Sequence, residues 1–255
     1  PFFNEKAVCE LGKNLDKSKK LHRSGTEYAL KVLKRFSEIL NVSKITNLKI
    51  IATAVLREAT DTKPFINEVE KLFKTKINIL SGEEEAECSA EGVKIGFENV
   101  NGLVADLGGG SLELARVENN IVTNKTSLPV GVLRLLNNPI VKKRNLAKYI
   151  KKLLREEKWL SKKKFNNLYL VGGTWRALFK LHLFQNNHPV HIIHQYSIDN
   201  NVLSKFVEKI SSFNKSKLKT VEYISKSRTP YLPYSCIILD EIMRVTNPRN
   251  IICSI

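Results

Sequence analysis

The chain has 255 residues, of which 42% are hydrophobic and 26% are charged. This composition is typical of a globular protein and excludes a disordered chain. No apolar run approaches the roughly 20 residues that a membrane helix needs, so we expect no membrane partner. The formal net charge of +17 favours a nucleic acid, an anionic membrane surface or a phosphate-rich substrate, although Lys- and Asn-rich codon usage explains it equally well.

Cysteine and histidine spacing gives no metal or disulfide pattern. The four cysteines stand far apart, which predicts reduced thiols and a cytoplasmic location. His188, His191 and His194 recur every third residue, but Pro189 makes their segment extended or irregular. We therefore favour ordinary histidines over zinc ligands.

Predicted helices and strands alternate along the chain, which favours an α/β fold. Hydrophobic periodicity predicts helices at 26–40, at 64–73, from 81 onwards, at 142–164, from the turn at 172–174 through 183, at 199–211 and at 233–246. It predicts strands at 48–52, 77–80, 103–107, 112–117, 121–128, 168–171 and 251–255. We place a domain boundary just after the second strand, which gives domains of residues 1–83 and 84–255.

In the first part of the chain, Arg57 closely follows the first predicted strand. Its guanidinium could fork onto a phosphate. A surface ion pair with Glu58 or Asp61 explains this arginine equally well.

Clustered acids begin the helix that starts after Ser81. Three of them recur at four-residue spacing and form a solvated face: Glu83, Glu87 and Glu91. Glu84 fits a capping box with Ser81. Glu85 lies off the solvated face, so a role as general base in a cleft is one interpretation, and a favourable helix dipole is the plainer one.

The strongest motif is DLGGGSLE at residues 106–113. A buried strand ends at Asp106, and the glycines that follow let backbone amides turn inward and cradle phosphate oxygens. The predicted phosphate-binding residues of this turn are Gly108, Gly109, Gly110 and Ser111. Asp106 and Glu113 flank the turn and are predicted to hold Mg²⁺. A plain hairpin turn is the alternative, but it does not need three glycines.

A second glycine turn, VGGTWR at residues 171–176, also follows a strand and begins a helix. Amides at a helix N-terminus attract anions, so Gly172, Gly173 and Thr174 are predicted to bind phosphate. Close strand–helix packing explains this motif about as well.

The predicted helix at 142–164 has an apolar face and a dense set of basic residues. The basic residues are Lys142, Lys143, Arg144, Lys148, Lys151, Lys152, Arg155 and Lys158. One interpretation is a track for a polyanionic chain, and the other is a solvated charged face.

Six segments resemble, in order and spacing, the exopolyphosphatase and guanosine pentaphosphate phosphohydrolase family (Ppx/GppA). They are ATAVLREA at 52–59, LSGEEEA at 80–86, ADLGGGSLEL at 105–114, LPVGVLRL at 128–135, VGGTWRAL at 171–178 and RTPYLP at 228–233. The resemblance runs along nearly the whole chain.

The resemblance implies an actin-like, ribonuclease H-like fold of two lobes, with mixed sheets flanked by helices and the active site in the cleft between the lobes. It implies Mg²⁺-dependent hydrolysis of a terminal phosphate from polyphosphate or guanosine pentaphosphate. Glu85 matches the family's catalytic base, residues 106–113 match its second phosphate loop, and Arg57 and Arg228 match its phosphate-binding arginines. Nucleic acid is not favoured as a partner, and a homodimer stays open.

Relative to the family pattern, the chain begins after the first phosphate loop and ends before a Gly-Leu-Arg-Glu-Gly-like stretch, so we expect an incomplete first lobe. Two other functions stay open at this point. One is an ATP-binding kinase or ATPase of the same fold, and the other is a non-catalytic module that binds polyanions. The sequence does not choose between polyphosphate and guanosine pentaphosphate.

Overall fold

The structure is a computed structural model that describes residues 4–137, 143–162 and 164–255. Its contacts divide the chain into two compact units, Pro1–Ser81 and Gly82–Ile255. The domain boundary expected after residue 83 stays a prediction.

The first unit is a small α/β layer. Its elements are α1 (Leu15–Ser18), α2 (Arg23–Val42), β1 (Ile50–Ala52), α3 (Ala54–Glu58), α4 (Lys63–Phe73) and β2 (Ile77–Ile79). The two strands pair in parallel, with Ile50 opposite Ile77. Leu56, Phe65 and Val69 are buried between the helices and this sheet. The helix α4 starts beside Pro64, whose fixed φ suits a first helical turn.

The second unit contains the remaining elements. They are α5 (Gly82–Gly96), β3 (Gly102–Leu107), β4 (Leu112–Glu118), β5 (Ile121–Leu128), α6 (Val132–Asn137), α7 (Lys143–Glu156), α8 (Lys158–Lys162), β6 (Asn167–Val171), α9 (Gly173–Gln185), β7 (Ser197–Asp199), α10 (Asn200–Ser211), α11 (Lys215–Lys219), a 3₁₀ turn (Thr229–Tyr231), α12 (Leu232–Thr246) and β8 (Asn250–Cys253).

Its six-stranded sheet has the order β5-β4-β3-β6-β8-β7. The three central strands β3, β6 and β8 run parallel, and the outer strands are antiparallel to their neighbours, so the sheet is mixed as predicted. Asp106 of β3 lies opposite Val171 of β6. Both glycine-rich turns therefore leave the sheet at the same edge, where ligands of open α/β sheets bind.

The two faces of this sheet have different covers. Helices α7, α9 and α12 cover one face over a large apolar core, and α5 covers the other. Val104 and Ala115 lie in the α5 layer. Because side chains alternate along a strand, Asp106 and Glu113 point to that same side.

The long predicted elements are confirmed with shifts of a few residues at their ends. The predicted helix at 142–164 is instead two helices, α7 and α8, and Lys142 lies outside the described residues. At the break, the carboxylate of Glu157 accepts hydrogen bonds from Thr126 and Trp159, both at 2.9 Å. In the described part of the chain, no helix is long and apolar enough to cross a membrane.

Candidate functional site

Three carboxylates of the second unit lie together on the α5 side of the sheet. Asp106 and Glu113 are direct partners in the β3–β4 ladder, so their side chains are neighbours on one face. Burial, and then the negative charges of Glu85 and Asp106, raise the pKa of Glu113 to about 7. Hydrogen bonds from Ser111 and Ser127 act in the opposite direction, the second at 2.8 Å. The structure thus brings together the three acids that the sequence singled out.

A side chain of α5 forms a hydrogen bond with Asp106. The hydroxyl of Ser89 donates to its Oδ2 at 2.6 Å. Burial raises the pKa of Asp106, while this hydrogen bond and the positive charge of Arg176 oppose the rise. Ser89, Ser127 and Arg176 were not predicted as site residues. Two of them had a sequence signal: Ser89 follows Glu85 by four residues and so shares its helix face, and Arg176 ends the second glycine motif.

The first glycine turn uses its carbonyls, but only one of its amides, in hydrogen bonds with described residues of the chain. Gly108 closes the turn by donating to the carbonyl of Ser111 at 3.0 Å. The glycine carbonyls accept hydrogen bonds from the amides that begin α6. These bonds run from Val132 to Gly108 (3.2 Å), from Leu133 to Gly109 (2.9 Å) and from Gly131 to Gly110 (3.2 Å). Among the described residues, the amides of Gly109, Gly110 and Ser111 donate to no protein acceptor, which suits them to phosphate oxygens.

Gly131 allows the turn to lie against α6. A Cβ at this position would lie 2.3 Å from the carbonyl carbon and oxygen of Gly109 and from the carbonyl carbon of Gly110. No side chain fits at this position, because the atoms that it would meet all belong to the backbone. The residues next to Gly131 do not reveal this role, because the contact joins segments about 20 residues apart.

Replacing Gly131 with Ala is expected to destabilise the fold by about 1–3 kcal/mol, since the added methyl group must displace backbone. Gly92→Ala is the matched control. Gly92 lies inside α5 with open space around its Cβ position, so alanine there should stabilise by up to about 1 kcal/mol. Urea unfolding of both variants measures the difference, and equal effects would contradict the packing of the turn on α6.

The second glycine turn packs on the end of β3. Gly172 has φ 114°, and a Cβ there would lie 2.6 Å from the carbonyl oxygen of Leu107. Arg228 donates from Nη1 to the carbonyl of Gly173 at 3.1 Å. Thr174 is buried behind the turn. The structure therefore places Gly172, Gly173 and Arg228 at the sheet edge that carries the first turn, and their binding roles stay predictions.

Arg57 belongs to the first unit. Its Nη1 donates to the carbonyl of Leu80 at 2.6 Å, which holds the guanidinium at the end of β2. Its predicted role as a phosphate ligand is untested by these contacts.

The three spaced histidines have separate surroundings. His188 bonds the Val190 carbonyl through Nδ1, His191 packs on Phe184, and His194 accepts from the Ile255 amide. The described residues contain no group of three or more His, Cys, Asp or Glu side chains arranged to hold a metal ion.

Comparison with known proteins identifies the family. The sequence model of the Ppx/GppA phosphatase family matches residues 1–255. The chain belongs to the Ppx/GppA phosphatase family. The resemblance carried by the six sequence segments is thereby confirmed.

Curated relatives of this Ppx/GppA chain are longer proteins. A bifunctional 3-dehydroquinate synthase/phosphatase of Fusobacterium nucleatum is 29% identical over 260 residues, which cover 94% of this chain and 38% of the relative. A guanosine-5'-triphosphate,3'-diphosphate pyrophosphatase of Aeromonas hydrophila is 37% identical over 134 residues, which cover 52% of this chain and 27% of the relative. The matched residues thus cover well under half the length of either relative.

Solved structures of Ppx/GppA proteins share the fold. An exopolyphosphatase from Cytophaga hutchinsonii superposes with a TM-score of 0.86 at 19% identity, covering 99% of this chain and 85% of that one. The Aquifex aeolicus family member gives a TM-score of 0.79 at 19% identity, covering 97% and 83%. The chain has the actin-like, ribonuclease H-like fold that the sequence predicted.

The raised pKa of Glu113 predicts a pH-dependent stability in metal-free protein. The folded state holds this proton up to about pH 7, whereas an unfolded Glu loses it near its ordinary value of 4.5. Between these values the folded state binds more protons, so its stability falls as pH rises. The stability of Glu113→Gln relative to the wild type should therefore rise by on the order of 2–3 kcal/mol from pH 4 to pH 8. Unfolding in EDTA at several pH values measures this, and parallel curves would contradict it.

Proposed function

We propose that the protein hydrolyses terminal phosphoanhydride bonds of inorganic polyphosphate or guanosine pentaphosphate. The observation that carries the proposal is the placement of three unused turn amides beside three carboxylates. An ideal Cβ on Gly108 would lie 3.9 Å from Oε2 of Glu113, so the phosphate cradle and the acids are adjacent. Membership of a phosphatase family, and its guanosine-5'-triphosphate,3'-diphosphate pyrophosphatase and exopolyphosphatase relatives, support this substrate class.

Hydrolysis needs a held phosphate and an activated water. The amides of Gly109, Gly110 and Ser111 would hold oxygens of the terminal phosphate, where charge develops during transfer. Glu85 would take a proton from a water molecule as the water oxygen attacks the terminal phosphorus. The bond from phosphorus to the bridging oxygen breaks, its electrons leave with the shortened chain, and orthophosphate is released.

The carboxylates fit a Mg²⁺ ion that keeps several waters. Asp106 and Glu113 supply hard oxygen ligands side by side. Their negative charges repel each other, and a divalent cation bound between them would relieve this repulsion. Two protein ligands are fewer than a complete cage, which is usual for Mg²⁺ at phosphate-transfer sites. When bound, Mg²⁺ would neutralise charge on the substrate's phosphate oxygens.

The substrate is tested by orthophosphate release from long polyphosphate, guanosine pentaphosphate and ATP under identical conditions. We expect release from one or both of the first two at rates well above ATP. Release from ATP alone would favour the ATPase alternative. Binding of polyphosphate without release from any substrate would favour the non-catalytic module.

The basic surface of α7 is a candidate for chain-length preference. Leu146, Ile150 and Leu154 bury its apolar face, as predicted. The opposite side lines a groove of about 670 Å³ with four cations: Lys148, Lys151, Lys152 and Arg155. Long polyphosphate bound there would release counterions, so its advantage over short chains should shrink as salt rises.

Neutralising these four α7 cations to Gln should raise KM for long polyphosphate by about tenfold at low salt and leave guanosine pentaphosphate hydrolysis nearly unchanged. The matched control removes the same charge from four exposed lysines elsewhere in the second unit: Lys180, Lys205, Lys209 and Lys219. Steady-state kinetics at two salt concentrations compares the variants. Equal effects of the two quadruple variants would show that the α7 cations have no specific role in binding long polyphosphate.

A further inference from the structure

Arg176 places a positive charge at the edge where the central strands end. It is the fourth residue of α9, and its Nε donates to the carbonyl of Gly172 at 3.4 Å. This contact turns the side chain back toward the helix start, as is usual for long side chains in helices. The guanidinium therefore lies at the second glycine turn.

The neighbours of Arg176 locate it more closely. Its charge acts on the carboxyl of Asp106 at the end of β3 and on the thiol of Cys253 at the end of β8. The Gly172 contact puts the guanidinium at the end of β6, and β6 lies between β3 and β8 in the sheet. Glu113 lies opposite Asp106 on β4, and Val171, which precedes the Gly172 that Arg176 contacts, lies opposite it on β6.

Arg176 lacks the carboxylate partner that two other arginines of the unit have. Arg116 and Arg244 form ion pairs with Glu118 and Asp240. Among the described residues, the guanidinium of Arg176 pairs with no carboxylate, and the Gly172 carbonyl is its one hydrogen-bond acceptor. A half-buried guanidinium has five N–H donors, so most of them remain available.

We propose that Arg176 is a phosphate ligand of this site, whose guanidinium binds non-bridging oxygens of the substrate on the β6 side of Asp106. The proposal rests on the proposed phosphohydrolase function. Guanidinium suits this position because its planar fork matches two phosphate oxygens. The oxygens would take the donors that no protein group uses, and their charge would balance that of Arg176.

The test measures binding without turnover. In the Glu85→Gln background, titration calorimetry with tripolyphosphate and Mg²⁺ gives Kd for added Arg176→Gln, Arg176→Lys and Lys180→Gln. Lys180 is exposed one turn further along α9, so Lys180→Gln removes the same charge from the same helix. We expect Kd to rise about tenfold or more for Arg176→Gln and less than about twofold for Lys180→Gln.

The Lys variant keeps the charge but loses the fork, so its Kd should rise at least about threefold. If circular dichroism shows that Arg176→Gln is unfolded, the comparison of Arg176→Lys with its parent is the test. Equal Kd values for the Arg176 and Lys180 variants, or an Arg176→Lys variant that binds like its parent, would overturn the role of Arg176. Absence of tripolyphosphate binding in the parent would overturn the proposed function and this inference with it.

Discussion

Glu85→Gln is expected to lower kcat by on the order of 10²–10⁴, the range typical of losing a general base. Glu85 is half-buried in the first turn of α5, and its negative charge is one of the causes that raise the pKa of Glu113. Glutamine keeps the size of the side chain but cannot accept the proton from water. KM should change little, since the proposed mechanism assigns phosphate binding to the turn amides. Steady-state orthophosphate release measures both constants.

Glu84→Gln is the matched control. Glu84 is the preceding residue, carries the same charge and is exposed at the same helix start. Its replacement should leave kcat within about twofold and cost about a kcal/mol or less of stability through the helix terminus. An exchange of these two phenotypes would show that the base has been assigned to the wrong glutamate.

Asp106→Asn is expected to raise the Mg²⁺ concentration needed for half-maximal activity by about tenfold or more. The amide keeps the shape of the side chain and can still accept the hydrogen bond from Ser89. It loses the negative charge that a hard cation prefers. Orthophosphate release across a Mg²⁺ titration measures the shift.

Asp199→Asn removes an equal charge far along the chain. Asp199 caps α10 by accepting from the amide of Asn201 at 2.8 Å, and asparagine caps about as well. This variant should keep the wild-type metal dependence. If Asp106→Asn titrates like Asp199→Asn, Asp106 has no part in holding the metal.

The carboxylates and the two glycine turns could be predicted because each lies in one short segment. A strand that delivers an acid to a run of glycines indicates phosphate chemistry by local pattern alone. The alternation of side chains in β3 and β4 then brings Asp106 and Glu113 to one face. Family resemblance supplied the expected role of Glu85 as a base, which spacing left ambiguous.

The supporting contacts could not be predicted because they join distant segments. Gly131 is needed only because α6 begins against the carbonyls of residues 108–110. Ser127 reaches Glu113 only through the register of β4 and β5. Arg176 ends the second glycine motif, but only the pairing of β3 with β6 brings that motif beside Asp106. Such contacts depend on packing, which a single sequence does not display.

Short elements escaped prediction for a related reason. The helices α3 and α6 have five and six residues, too few to repeat an apolar face. Packing stabilises them instead, since isolated helices of this length are not stable in water. The helix α6 is nevertheless central to the site, because its first amides fix the first glycine turn.

The most direct test of the central claim is hydrolysis in ¹⁸O-labelled water, with wild type and Glu85→Gln compared on the preferred substrate. Attack by water on the terminal phosphorus predicts one labelled oxygen in each released orthophosphate, none in the shortened chain, and release slowed by on the order of 10²–10⁴ in the variant. Unlabelled orthophosphate, label in the remaining chain, or equal rates for the two proteins would contradict hydrolysis of the terminal phosphate with Glu85 as base.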